Sequence, residues 1–140
     1  MAVDYRIIAP VIKSALNGEG CALPRNFDIE QLIDLASEHQ ITNILYEGAV
    51  LCGVDISCNG MKRLFSRCCK NLMVSEEQLY EISAVCDIFE QNGIKHMPVK
   101  GTVLKSRYPK SDMREMSDAD ILIDPSDYPK IKEIMTSLGY

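Results

Sequence analysis

The sequence predicts an α+β fold, with a helical bundle over residues 1–92 followed by a β-turn-α-β-α unit over residues 93–140 that is incomplete, stopping before a third strand. Three observations predict it. Apolar residues recur at three- and four-residue steps through the first two-thirds of the chain, the period of helices with one buried face. That period ends at Asn92-Gly93, and two short runs follow, Ile94 to Val99 and Asp118 to Ile123, whose β-branched and apolar content suits strands. Turn and helix-start residues separate and follow these runs. At 140 residues and 46% hydrophobic content, the chain can fill a core and amounts to one ordinary domain, or a small domain with part of another.

Residues about 5 to 16 form a short amphipathic segment that ends at Asn17-Gly18. Asp28 can cap a second helix carrying Ile29, Leu32, Ile33, Leu35 and Ala36 on its apolar side. A third runs from Thr42 to Leu51 with Ile44, Leu45, Ala49 and Val50 as apolar members. After the loop from Gly53 to Gly60 comes the longest periodic stretch. Leu64, Phe65, Cys68, Leu72, Leu79, Ile82, Val85, Cys86 and Phe89 read as a core-facing stripe that Gly93 terminates. Beyond the first strand, Lys100-Gly101-Thr102 starts a turn and Val103 to Tyr108 reads as one or two helical turns before Pro109. After the second strand, Asp124-Pro125-Ser126-Asp127 is a helix start: an Asp cap, proline at the first helical position and an acid at the third.

Composition excludes several functions. The N-terminal stretch MAVDYRIIAPVIKSAL interrupts its apolar residues with Asp4, Arg6 and Lys13, so it lacks the apolar region of a signal peptide, and no run approaches a membrane span. Of six cysteines none forms a CxxC pair, Cys68 and Cys69 are adjacent, and several occupy apolar positions of helical patterns. That usage fits buried thiols of a cytoplasmic protein better than a disulfide framework or a zinc site. Both histidines, His39 and His96, lack a metal-ligand neighbour at suitable spacing and read as ordinary structural or surface residues. A net charge of -5 argues against general nucleic-acid binding. The charges are nevertheless segregated: Lys95, Lys100, Lys105, Arg107, Lys110 and Arg114 stand against Asp112 alone, and Glu115, Asp118, Asp120, Asp124 and Asp127 follow. Such a run suits a polyphosphate with its metal, although charge runs commonly mark a solvated face.

Chemistry concentrates in MSDADILID, Met116 to Asp124. Residues two apart on a strand share a face, so Asp118 and Asp120 can present two carboxylates to one point. Such a pair repels unless a cation neutralises it, and Mg²⁺ suits carboxylates together with phosphates. Other DxD sites fit poorly. A helix-loop-helix calcium loop needs glycine at its sixth position and glutamate at its twelfth, where this chain has Ile123 and Pro129. Phosphatase-like DxD motifs follow an apolar strand, whereas Ile121-Leu122-Ile123 comes after the acids here. Asp124 is explained as a cap. Solvation at a strand end, or pairing with Arg114, would account for Asp118 and Asp120 as well as a metal would. Upstream, Gly101 lets backbone N–H groups approach a phosphate, and the start of the following helix adds positive partial charge. Gly-Thr turns are common, and the weight of this one lies in its order: strand, Gly-Thr, short helix, strand bearing DxD.

The run IKHMPVKGTVLKSRYPKSDMREMSDADILIDPSDYPKIKEIMTSLGY, about residues 94–140, resembles an uncharacterised nucleotidyltransferase-like family within the wider polymerase-β-like superfamily. Its pattern is a KG turn, a helix ending in Tyr-Pro, an Arg, an acidic DxD strand start and a helix ending in Leu-Gly-Tyr. The helical part upstream is similar to the segment that precedes this core. The resemblance implies that Gly101 and Thr102 form the turn that holds nucleotide phosphates, that Asp118 and Asp120 are catalytic metal ligands for Mg²⁺ or Mn²⁺, and that Lys100 and Arg114 occupy basic positions of the pattern. It also implies transfer of a nucleoside monophosphate from a nucleoside triphosphate to an acceptor hydroxyl, through two metals about 4 Å apart. Thr102 stands where serine is usual, and the third carboxylate expected on a following strand would lie beyond Tyr140, so a truncated, catalytically incomplete polypeptide is expected. The competing expectation is a non-catalytic module that binds a partner protein of toxin–antitoxin type; a homodimer through the open strand edge is a third.

Overall fold

The computed structural model describes residues 5–24 and 27–140, so the part of the N-terminal reading that rests on Asp4 lies outside the described residues. The architecture is α+β. Four helices, α1 (Tyr5–Asn17), α2 (Ile29–Glu38), α3 (Thr42–Leu51) and α4 (Asn59–Gln91), precede β1 (His96–Val99), α5 (Gly101–Lys105), β2 (Asp120–Ile123) and α6 (Tyr128–Ser137), with short 3-10 turns at Ser111–Met113 and Pro125–Asp127.

Local signals act where expected. Asp28 accepts a hydrogen bond from the Glu30 N–H and starts α2. Gly93, at φ +67°, closes α4: its N–H donates to Glu90 and the Ile94 N–H to Phe89, the paired bonds of a Schellman turn. Asp124 accepts from both the N–H and the hydroxyl of Ser126 ahead of α6, and those bonds, the backbone one foremost, hold its carboxyl below the usual range.

Two apolar clusters share α4, whose 33 residues extend about 50 Å. The larger joins α1, α2, α3 and the start of α4 around Val11, Leu32, Ile33, Leu45 and Leu64, with Met113 reaching in from the chain after α5. The smaller packs Val85 and Phe89 of α4 against Ile94, Ile131 of α6, and Ile121 and Ile123 of β2. Because α4 bridges them, its stripe is interrupted. Phe65 and Leu72, expected in the core, are exposed, as is Val50 on α3. Phe65 packs its ring beside that of Tyr46 on α3, with centroids 5.5 Å apart, and leaves half of its surface in solvent. Around Ser75 the buried face of α4 receives a lysine instead of an apolar partner.

β1 and β2 pair antiparallel in the register His96↔Ile123, Met97↔Leu122, Pro98↔Ile121 and Val99↔Asp120. His96 turns its edge to Phe89 with ring centroids 5.5 Å apart, a packing role. The helix expected over Val103 to Tyr108 instead begins at Gly101 and stops at Lys105. Five residues build little macrodipole, so positive partial charge from this helix is not what would recommend the turn to a phosphate. No helix among the described residues is long and apolar enough to cross a membrane.

Candidate functional site

Strand register assembles the site. Val99 is opposite Asp120, so the chain leaves β1 beside the residue that opens β2, and Lys100 Nζ lies 3.2 Å from Asp120 Oδ2. Lys100 reaches it from a strained backbone: φ 51°, ψ -117° is the first central position of a type II′ turn, which glycine normally occupies. The strain therefore falls on Lys100, while Gly101 is required for a different reason. A Cβ there would stand 2.8 Å from Met116 Sδ and 3.0 Å from its Cγ. Thr102 Oγ1 also faces Met116 Sδ, at 3.8 Å.

The segment between α5 and β2 is tied down along its length. Asp112 Oδ2 accepts a 2.7 Å hydrogen bond from Asn43 Nδ2, and Met116 O accepts one of 2.9 Å from Gln78 Nε2. Glu115 Oε1 accepts from the Thr42 N–H at 2.6 Å, and so caps α3, whose own N-cap residue Ile41 supplies no side-chain bond. These anchors deliver Ser117-Asp118-Ala119 to β2. Asp118 is exposed, with Ser117 Oγ 3.4 Å from its Oδ1, and it lines a cleft of about 310 Å³ with Gln78, Glu81, Ile82, Met116 and Tyr140. Strand pairing starts at Asp120, two residues after Asp118.

Arg114 is placed elsewhere than the turn. It makes no hydrogen bond or ion pair with Asp118 or Asp120 among the described residues, and it lines a cavity of about 70 Å³ with Ser75, Lys105 and Asp112. Its Nε is shut away from solvent without a hydrogen-bond partner. Lys105, counted in the sequence only as part of a basic run, is 2% exposed and donates from Nζ to Ser75 Oγ at 2.6 Å. Burial pushes its ammonium below the ordinary lysine range, opposed by Asp112, Glu76 and Glu115 and reinforced by Arg114. The lone acid Asp112 within that basic run was the one sequence signal for this buried polar cluster.

Ser75→Ala is expected to lower stability by about 2 kcal/mol at neutral pH, because it strips a buried ammonium of its hydrogen-bond acceptor. Lys105→Met, which removes the charge with it, is expected to stay within about 1 kcal/mol of the parent. The pH dependence has a definite sign. Between the depressed folded value and the ordinary 10.5, the unfolded chain holds the proton that the folded chain has lost, so stability from Lys105 rises with pH through that window. Urea titrations at neutral and alkaline pH should show that rise in the parent and its loss in Lys105→Met.

The strand expected over Asp118 to Ile123 begins instead at Asp120, so Asp118 lies ahead of it and the two acids do not share a strand face. Asp118 and Asp120 offer carboxylate oxygens, and Asp120 already holds a cationic partner in Lys100. Among the described residues no group of three or more His, Cys, Asp and Glu is placed to hold a metal. A family model described as an uncharacterised nucleotidyltransferase matches residues 25–140, a span that takes in α2, α3 and α4 as well as the two strands. No curated protein and no solved structure matches.

Proposed function

The chain belongs to the uncharacterised nucleotidyltransferase family, and on that premise we propose that it takes part in transferring a nucleoside monophosphate from a nucleoside triphosphate to an acceptor hydroxyl, with Mg²⁺ or Mn²⁺ as cofactor. A general nucleotidyltransferase-like function comes with membership of the family. The observation that supports the finer reading is the register Val99↔Asp120, with the Lys100 ammonium beside the Asp120 carboxylate and the Gly101-Thr102 turn next to them at one end of the strand pair.

In this reading Asp118 and Asp120 hold the metal, which when bound neutralises charge on the transferring phosphoryl group and on the departing pyrophosphate. Lys100, 73% exposed on a flexible stem, exchanges its Asp120 partner for a phosphate oxygen. The N–H groups of Gly101 and Thr102 donate to non-bridging oxygens, held in position by Met116 against the Gly101 surface. Asp112 and Glu115 anchor the approach to β2, and Arg114, between them in the chain, lines the small cavity beside Lys105. A cytoplasmic location goes with this reading, as the compartment in which nucleoside triphosphates are the ready substrate.

Titration calorimetry with ATP, GTP, CTP and UTP, each with Mg²⁺ or Mn²⁺, tests it. Metal-dependent binding of at least one nucleotide is expected, weakened about tenfold or more in Asp118→Asn/Asp120→Asn. Equal binding by the double variant, or none by the parent, would sink the proposal. A second reading, a non-catalytic module that docks a partner protein, is favoured by the apolar side chains that α4 leaves in solvent, with Met73 73% and Tyr80 76% exposed. It expects the double variant to keep partner binding.

A further inference from the structure

The loop after α1 returns to the end of α3 at a point where no side chain fits. A Cβ on Gly20 would stand 2.4 Å from the Leu51 carbonyl oxygen, so glycine is what allows the two backbones to meet. The next residue on each side of that contact is a cysteine. Cys21 and Cys52 are free thiols, both half-buried, with Sγ atoms 2.8 Å apart. Ser14 of α1, itself buried, places Oγ 3.3 Å from Cys52 Sγ. Beside them opens a cavity of about 500 Å³ lined by Lys13, Ser14, Asn17, Glu19 and Cys21, within the size range of small-molecule sites.

We propose that Cys21 and Cys52 are a thiol–disulfide exchange site, which takes a low-molecular-weight zwitterionic disulfide through this cavity and closes into an intrachain disulfide. The rim supplies both signs of charge, Lys13 for a carboxylate and Glu19 for an ammonium group. Ionisation is divided between the sulfurs. Burial raises the Cys52 thiol, but its hydrogen bonds with the Cys21 thiol, Ser14 and the Cys21 backbone outweigh that and hold it below the ordinary range. Cys21, bonded to Cys52, is raised. Cys68 offers a contrast: burial pushes it up to about 12.

The chemistry balances with the small disulfide RSSR as oxidant. Cys21, which faces the cavity, loses its proton to solvent and attacks one sulfur of RSSR, forming a mixed disulfide and releasing RS⁻. That RS⁻ is protonated by solvent and leaves as RSH, and Cys52 in turn loses its proton to solvent. Cys52 then attacks Cys21 Sγ, forms the Cys21–Cys52 bond and expels the second RS⁻. Two electrons pass from the protein thiols to the small disulfide. The bridge links residues 31 apart and fastens the loop after α1 to α3.

The test incubates the chain with oxidised glutathione, then maps disulfides by peptide mass spectrometry and records thermal unfolding. Expected is a Cys21–Cys52 crosslink lighter by two hydrogens, a melting temperature about 10 °C higher and full reversal by dithiothreitol. Cys52→Ser should stop at a mixed disulfide on Cys21, with no such rise; Cys21→Ser should form no crosslink. Exposed Cys69 reports that the reagent is active. If Cys69 carries glutathione while Cys21 and Cys52 stay free, or carry separate adducts in the parent, the proposal is overturned.

Discussion

Replacing Lys100 with glycine is expected to stabilise the fold by about 1 kcal/mol and to weaken metal-dependent nucleotide binding about tenfold or more. The two effects have separate origins. At φ 51° and ψ -117°, a side chain costs about 1–3 kcal/mol that glycine avoids, partly offset by glycine's larger unfolded-state entropy. The ion pair lost with Asp120 is largely exposed and contributes little, about 0–1 kcal/mol. A strained non-glycine residue persists where its side chain serves something other than stability, and the ammonium beside Asp120 is a candidate for that service. Urea denaturation and nucleotide calorimetry on the same variant separate the terms. Unchanged nucleotide affinity would remove Lys100 from the phosphate site; a loss of stability would refute the strain.

Gly48→Ala is expected to destabilise the protein by about 3 kcal/mol or more, the reverse of what helix propensity predicts. Within a helix alanine is ordinarily favoured over glycine by about 1 kcal/mol. Here the added Cβ would lie 2.0 Å from the Val11 carbonyl oxygen and 2.7 Å from its Cγ1, where α3 crosses α1. Backbone cannot yield as a side-chain tip does, so the helices must part and open the larger cluster around Val11, Leu45 and Ala49. Such a loss is a large share of the roughly 5–15 kcal/mol that holds a domain folded. A urea midpoint equal to or above the parent's would show that the two helices do not meet this closely.

What the sequence by itself determined is local. Asp28 starts α2, Thr42–Leu51 is α3, Gly93 ends α4 and Asp124 precedes α6, because caps and turns need only a few neighbouring residues and fixed dihedral preferences. The candidate residues Lys100, Gly101, Thr102, Asp118 and Asp120 were legible too, as residue types in an order. Tertiary structure alone decided that Lys100 meets Asp120, since strand register is a property of two segments and not of either. It also moved Arg114 into the cluster with Lys105, set Glu115 on the start of α3, and left Phe65 and Leu72 in solvent, because α4 serves two clusters and no periodicity shows which turns face which. Cys21 and Cys52, unremarkable as spacings, meet only because Gly20 lets two backbones touch. In each case the deciding contact joins residues distant in the chain, and its geometry depends on how whole elements pack.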